Sequence, residues 1–224
     1  LKRFEENKSF ENLLQPSRNT IISGEFKNKH NQFFKSKNPI ILELGCGKGE
    51  YTIGLAKLNI KKNYIGIDVK GARIWRGAKT ATEEKIENVL FIRTQIELIE
   101  HIFDENEVDQ IWLTFPDPQI KYKRTKHRLI NTSYLEKYRK ILKPDGTIHL
   151  KTDSEFLHGY TLGILENLNI IPCLVVHDIY KNNNAPNEVL EIKTHYEKMF
   201  IKEGKSISYI KFKLWKRLNI KIFS

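Results

Sequence analysis

Paired cysteines and long apolar runs are missing from this sequence of 224 residues. Its two cysteines, Cys46 and Cys173, have no paired spacing, which argues against a disulfide framework or a zinc site and fits a reducing compartment. No run approaches the roughly 18 uncharged apolar residues that a membrane-spanning helix needs, and the first residues lack the apolar core of a signal peptide. We therefore expect a soluble, cytoplasmic protein with no metal site and no membrane contact.

Positive charge, by contrast, is in excess. The chain has 38 Lys and Arg against 27 Asp and Glu, a net charge of +11. Between Gln119 and Lys143 there are nine basic residues and a single acid, Glu136. Such a stretch favours a polyanionic partner, because lysine and arginine pair with phosphates. A solvated helix face is the alternative explanation.

From Pro39 onward, short apolar runs alternate with helical patterns. The predicted strands are residues 40–44, 64–67, 89–92, 108–114, 147–151, 170–177 and 206–212. Repeated strand and helix units indicate a parallel sheet with helices on both faces. The last two strands, joined by a loop and a helix, suggest an antiparallel hairpin at one edge. We predict an α/β Rossmann-like domain over residues 39–224, with a seven-stranded, mostly parallel sheet.

Residues 1–38 show no sustained period. Charged and polar side chains alternate there with scattered phenylalanines. We predict a basic N-terminal extension that is partly disordered. Two roles stay open for it: additional contact with RNA, or a solvated tail.

The segment ILELGCGKGEYTIGLA places Gly45, Gly47 and Gly49 between the first strand and the first helix. Glycine permits the positive φ and the close approach that a ligand over a strand end requires. The spacing is G-x-G-x-G, not the G-x-G-x-x-G of dinucleotide sites. Glu43, which ends the strand, would repel a pyrophosphate but suits a cationic sulfonium. The pattern therefore favours S-adenosylmethionine over NAD.

Two further polar residues end the next strands. Asp68 follows the second strand and can accept both ribose hydroxyls, while Gln95 follows the third strand and can meet the adenine edge. Each signal alone is weak, because glycine turns and capping aspartates are frequent. Together they lie at the carboxyl ends of successive strands, along one crevice, and they predict a bound adenosyl cofactor.

The fourth strand is followed by FPDP, which places Asp117 between two prolines. The prolines restrict the backbone and hold the carboxylate where the methyl group of the cofactor should lie. A carboxylate there can accept hydrogen bonds from N1 and N2 of a guanine, while the basic run holds flanking phosphates. Methylation at N7 needs no proton removal, so positioning carries most of the catalysis. The alternative is an aspartate that only forms a turn.

Five motifs in the order ELGCGKG, GID, FPDPQIK, HLKTD and THYEKMF resemble the bacterial tRNA (guanine-N7-)-methyltransferases. The resemblance covers roughly residues 39–212. It implies a class I methyltransferase fold, S-adenosylmethionine as methyl donor, and a guanine of the tRNA variable loop as acceptor. It also implies Asp117 as catalytic residue. The predicted cofactor residues are Glu43, Gly45, Gly47, Gly49, Asp68, Gln95 and Asp117.

The resemblance implies substrate contacts at Lys121, Asp153 and the run 194–197, which contains Thr194 and Glu197; the basic run adds Lys123 and Arg124. A capping box explains Thr194 and Glu197 equally well. We predict tRNA as partner and a monomer or homodimer. Two rival functions remain: a methyltransferase acting on another RNA or a small molecule, and a non-catalytic basic RNA-binding subunit.

Overall fold

A computed structural model describes residues 2–181 and 184–214, which are built around one eight-stranded sheet. Residues 182–183 and 215–224 of the predicted domain lie outside the described residues. The strands are β1 (Leu13–Leu14), β2 (Ile40–Leu44), β3 (Asn63–Asp68), β4 (Val89–Arg93), β5 (Val108–Thr114), β6 (Leu142–Thr152), β7 (Leu174–Val176) and β8 (Ser208–Phe212). Their order across the sheet is β1-β4-β3-β2-β5-β6-β8-β7.

Helices cover both faces of this sheet. They are α1 (Lys2–Glu6), α2 (Arg18–Ile22), α3 (His30–Phe33), α4 (Glu50–Leu58), α5 (Gly71–Glu83), α6 (Thr132–Ile141), α7 (Glu155–Asn167), α8 (Asn187–Glu191) and α9 (His195–Lys202). Short 3-10 helices span Ile96–His101 and Tyr122–His127. Asn131, Ser154 and Thr194 begin α6, α7 and α9, because each side chain accepts a backbone N–H three residues on.

The predicted fold class is confirmed, with one strand more than expected. β8 runs antiparallel to both of its neighbours, β6 and the edge strand β7. The unpredicted strand is β1, which comes from the N-terminal extension and pairs parallel with β4 at the other edge. The chain order reverses around β2, which pairs with both β3 and β5, so a crevice is expected at their carboxyl ends.

The core has two layers, one on each face of the sheet. Side chains alternate along each strand, so Ile41 and Trp112 pack into one apolar cluster and Leu42 and Leu113 into the other. All five residues of β2 are buried, as a central parallel strand requires. None of the helices within residues 2–181 and 184–214 is long and apolar enough to cross a membrane.

The described part of the extension is packed on this core. Besides the β1–β4 pairing, α1 contacts α5, and Ile21 of α2 is fully buried in a core cluster. The sequence contains no periodic signal for this packing, because each element is two to five residues long. Partial disorder and the boundary at residue 39 stay predictions.

Candidate functional site

A cleft of about 410 Å³ lies at the carboxyl ends of the central strands. It brings together four predicted residues, Gly45, Asp68, Gln95 and Asp117. Its volume is that of a pocket for a small organic ligand. Its walls also include residues for which the sequence holds no motif signal: Val69, Lys70, Arg73, Thr94, Ile96, Leu129 and Tyr134.

A larger groove of about 880 Å³ lies at the opposite end of the sheet, around Asn38, Asn63 and Asn88. These residues precede or begin strands, so the groove faces the amino ends of the strands. It contains none of the predicted site residues. Because open α/β sheets bind ligands at carboxyl ends, we assign the function to the smaller cleft.

The glycine turn adopts a backbone that other residues rarely take. Gly45, Gly47 and Gly49 have φ values of +80°, +56° and +71°. A Cβ on Gly49 would lie 2.6 Å from the ring of Phe91, whereas one on Gly47 would meet nothing within 4 Å. Gly49 is thus required by packing as well as conformation, and the turn at Gly47 presents open backbone for a ligand.

Asp68 connects the glycine turn to the start of α5. Its Oδ2 accepts the Gly47 N–H at 2.9 Å and its Oδ1 accepts the Lys70 N–H at 2.7 Å. The residue is 8% exposed and lines the cleft. Each carboxylate oxygen keeps a lone pair for another donor, such as a ribose hydroxyl.

Glu43 lies beneath the turn, with only 3% of its surface exposed. Its Oε2 accepts the Thr52 N–H at 2.8 Å and the Thr52 hydroxyl, and its Oε1 accepts the Thr114 hydroxyl. The carboxyl group therefore joins α4 to the end of β5. Burial raises its pKa to about 7, although these hydrogen bonds act in the opposite direction. Contact between Glu43 and a cofactor stays a prediction.

This raised pKa predicts a pH-dependent stability. Since an ordinary glutamate has a pKa of 4.5, the native state binds more protons between pH 4.5 and about 7. The free energy of unfolding should therefore fall as the pH rises through this window, by up to about 3 kcal/mol for this group. Urea unfolding at several pH values, on wild type and Glu43→Gln, measures it. Equal pH slopes for the two proteins would contradict it.

The loop that carries Asp117 has an unusual backbone. Phe115 and Gln119 have positive φ values of +48° and +46°, a conformation that is costly for residues other than glycine. Asp117 Oδ1 accepts the Gln119 N–H at 2.9 Å and closes a turn, and the residue is exposed at the rim of the cleft. Its other lone pairs stay available to a ligand.

Arg128 fixes the base of this loop. It is 5% exposed, and its guanidinium donates to the backbone oxygens of Gln119 and Ile120 at 3.1–3.2 Å. The guanidinium also lies over the rings of Phe156 and Tyr160, at 4.8 and 4.5 Å. Arg128 therefore has a structural role in this loop. The sequence does not distinguish it from the other cations of the basic stretch.

Four other cations of this stretch face solvent. Lys121, Lys123, Arg124 and Lys126 are exposed on the 3-10 helix and its start, outside the cleft. His127 borders the cleft. The predicted substrate residues Lys121, Lys123 and Arg124 thus form a positive rim next to Asp117.

Glu197 and Thr194, also predicted to contact substrate, have structural roles here. Thr194 caps α9 by accepting the Glu197 N–H at 3.2 Å, so the capping interpretation is confirmed for this contact. Glu197 is fully buried, pairs with Lys151 at 2.7 Å and accepts the Tyr180 hydroxyl at 2.6 Å. It does not line the cleft; direct contact with substrate stays a prediction. Thr194 lines a small adjoining cavity.

Lys151 is the buried centre of this contact network. Its ammonium also donates to the backbone oxygens of Val189 and Ile192, at 2.6 and 3.0 Å. Burial lowers its pKa to about 8, against the opposing effect of Glu197. Asp153, two residues on, is half-buried and lies 3.6 Å from Lys205, not in the cleft.

The described residues contain no cluster of three or more His, Cys, Asp or Glu side chains that could hold a metal ion. The site combines a glycine turn, carboxylates, an amide and a basic rim.

Residues 37–210 match a protein family described as "Putative methyltransferase". A protein of Christiangramia forsetii called "tRNA (guanine-N(7)-)-methyltransferase" is 59% identical over 217 residues, which are 96% of this chain and 97% of that protein. A protein of the same name from Bacteroides thetaiotaomicron is 43% identical, over 96% of this chain and 85% of that protein.

Two solved structures share the fold at low identity. The 16S rRNA methyltransferase KamB has a TM-score of 0.63 at 12% identity, covering 84% of this chain and 94% of that one. A SAM-dependent methyltransferase from Aquifex aeolicus has a TM-score of 0.54 at 15% identity, covering 89% and 100%.

Proposed function

Since the chain belongs to the tRNA (guanine-N(7)-)-methyltransferase family, we propose that it transfers a methyl group from S-adenosylmethionine to N7 of a guanine in the tRNA variable loop. The observation that carries this proposal is the position of Asp117. It lies on the rim of a cleft whose other residues, Asp68 and Gln95, suit ribose and adenine. Exposed cations follow it closely along the chain.

The cleft residues fit an adenosyl cofactor. The open backbone at Gly47 admits a ligand over the strand end, and the lone pairs of Asp68 suit ribose hydroxyls. Gln95, at the far end, is assigned to adenine. The bound cofactor supplies a methyl group on a positively charged sulfur.

Asp117 serves the acceptor base. Its carboxylate accepts hydrogen bonds from N1 and N2 of the guanine and so orients N7 towards the cleft. The N7 lone pair would form the new bond to the methyl carbon, and the electron pair of the broken bond would stay on the sulfur of the bound cofactor. The guanine becomes cationic, and the negative charge of Asp117 stabilises it. No proton is removed, so the chain needs no general base.

The basic rim serves the RNA backbone. Lys121, Lys123 and Arg124 are placed to pair with phosphates that flank the target nucleotide. We propose the cytoplasm as the location of the protein, because a tRNA substrate is found there. We propose no oligomeric state beyond a monomer or a homodimer.

The test is incubation with labelled S-adenosylmethionine and unmodified tRNA, followed by nucleoside mass spectrometry. We expect 7-methylguanosine in the variable loop of the tRNA. A different methylated nucleoside would favour the rival with another acceptor. Cofactor binding without any methylation would favour a non-catalytic RNA-binding subunit.

Lys123→Ala combined with Arg124→Ala should weaken tRNA binding, because two phosphate contacts and their counterion release are lost. The slope of log Kd against log salt concentration should shrink by about 1.5. Filter binding at several salt concentrations measures it. Lys35→Ala with Lys57→Ala is the matched control, since both side chains lie around the groove at the opposite end of the sheet. Equal slopes for both double variants would show that the basic rim does not contact the phosphates of the tRNA.

A further inference from the structure

The N-terminal extension is attached to the strand that leads to Gln95. Leu13 and Leu14 of β1 pair with Phe91 and Ile92 of β4, and the Phe91 N–H donates to the Asn12 oxygen at 2.8 Å. Strand β4 ends at Arg93, two residues before Gln95. The extension therefore holds the element that positions one end of the cleft.

The same segment is also attached to α5, which begins just after Asp68. The amide of Asn7 donates to the Gly71 oxygen at the start of α5, and that of Asn12 donates to the Ala78 oxygen, both at 3.1 Å. Asn7 and Asn12 are 1% and 6% exposed. Buried hydrogen bonds of this kind fix a segment firmly, because breaking them leaves unpaired polar groups. Residues 7–14 thus join α5, which follows Asp68, to β4, which precedes Gln95.

Arg18 forms a direct hydrogen bond with Gln95, which lines the cleft. Its Nη1 donates to Gln95 Oε1 at 2.6 Å. A separate hollow of about 320 Å³ is lined by Arg18, Gln15 and Pro16 on one side, and it shares Val69, Thr94 and Gln95 with the main cleft. The extension therefore forms the outer wall next to Gln95.

The chemistry of this contact fixes the orientation of the Gln95 amide. Arginine carries donors and no acceptor, so the amide oxygen must face Arg18. The amide NH₂ group then points away from Arg18 as a donor. Adenine offers ring nitrogens that accept hydrogen bonds at its edge, which a fixed NH₂ group can meet without an entropic cost of ordering.

We propose that Arg18 is a positioning residue for the cofactor, because it orients the amide of Gln95. Together with Arg18, the rest of residues 7–18 closes the adenine end of the cleft. This inference rests on the proposed function, because it assumes that the adenosyl group occupies this cleft. It assigns the extension a role in cofactor affinity instead of RNA contact.

The experiment is isothermal titration calorimetry with S-adenosylhomocysteine in the absence of RNA. Arg18→Ala should raise the Kd about threefold to tenfold, since the Gln95 amide loses the charge-assisted hydrogen bond that orients it. Arg18→Lys, which keeps a donor and the charge, should recover part of the affinity. The control is Arg3→Ala, which removes the same charge from the same extension at the face of Trp75 and should leave the Kd unchanged. In methylation assays, KM for S-adenosylmethionine should rise in Arg18→Ala with kcat unchanged.

A double-mutant cycle separates positioning from general charge. If Arg18 acts through Gln95, Arg18→Ala should add little to the effect of Gln95→Ala. Full additivity of the two effects would overturn the inference, as would equal Kd values for Arg18→Ala and Arg3→Ala, while the methyltransferase proposal would stand in both cases. A wild-type chain that binds no S-adenosylhomocysteine would instead overturn the proposed function and this inference with it.

Discussion

Replacing Asp117 with alanine should lower kcat for tRNA methylation by about 10²- to 10⁴-fold, the range that positioned catalytic groups contribute. The carboxylate is held by its own turn and by two flanking prolines, so little entropy is lost when it binds a base. Without it, the guanine loses both its hydrogen-bond acceptors and the charge that stabilises the cationic product. Single-turnover kinetics with saturating S-adenosylmethionine measures this step directly.

Two further variants make the Asp117 result specific. Asp117→Asn keeps the shape but loses the charge and presents NH₂ to the guanine donors, so it should be nearly as slow as Asp117→Ala. Asp145→Ala removes a carboxylate that is 96% exposed, pairs with Lys213 and does not line the cleft, so this variant should keep wild-type turnover. Near-normal turnover of Asp117→Ala, with an intact fold by circular dichroism, would remove Asp117 from the mechanism.

Glu197→Ala should lower the free energy of unfolding by about 3–5 kcal/mol, the cost of leaving one partner of a buried ion pair alone. Neither Glu197 nor Lys151 has any exposed side-chain surface. Water therefore cannot solvate the ammonium of Lys151 in the variant unless the core opens. The Tyr180 hydroxyl loses its acceptor as well. Urea unfolding followed by circular dichroism is the measurement.

Glu203→Ala is the matched control, because Glu203 follows the same helix but is half exposed and pairs with Lys205 at the surface. Its effect should stay within about 1 kcal/mol. Replacing Lys151 and Glu197 together by methionine removes both charges and should be less harmful than Glu197→Ala. An equal loss in Glu197→Ala and Glu203→Ala would show that the buried pair contributes nothing to stability.

Local patterns predicted much of this molecule correctly. The glycine turn was placed between β2 and α4, because three glycines after an apolar run leave few alternatives to a strand-to-helix turn. The strands from Ile40–Leu44 to Val108–Thr114 were predicted to within a residue at each end, since buried parallel strands read as continuous apolar runs. The crevice followed from the rule that carboxyl ends of parallel strands meet at one edge.

The sequence could not show which polar residues face the cleft. Glu197 sits in a motif that suggests substrate contact, yet its partner Lys151 lies in another motif, and only the tertiary structure brings the two side chains together. Arg128 is one of several cations in a row, and its hydrogen bonds to Gln119 depend on how the loop folds back. The sequence alone does not show whether a charged side chain is exposed or buried.

The chain's own residue order therefore determined the fold class, the glycine turn and the position of Asp117, because these depend on local conformation and on hydrophobic runs. The tertiary structure decided the role of the N-terminal extension, the burial of Lys151 and Glu197, and the contact between Arg18 and Gln95. These join residues far apart in the chain. The energies of these contacts depend on which groups pair and lose water in the folded protein, and the spacing of residues along the sequence does not show this.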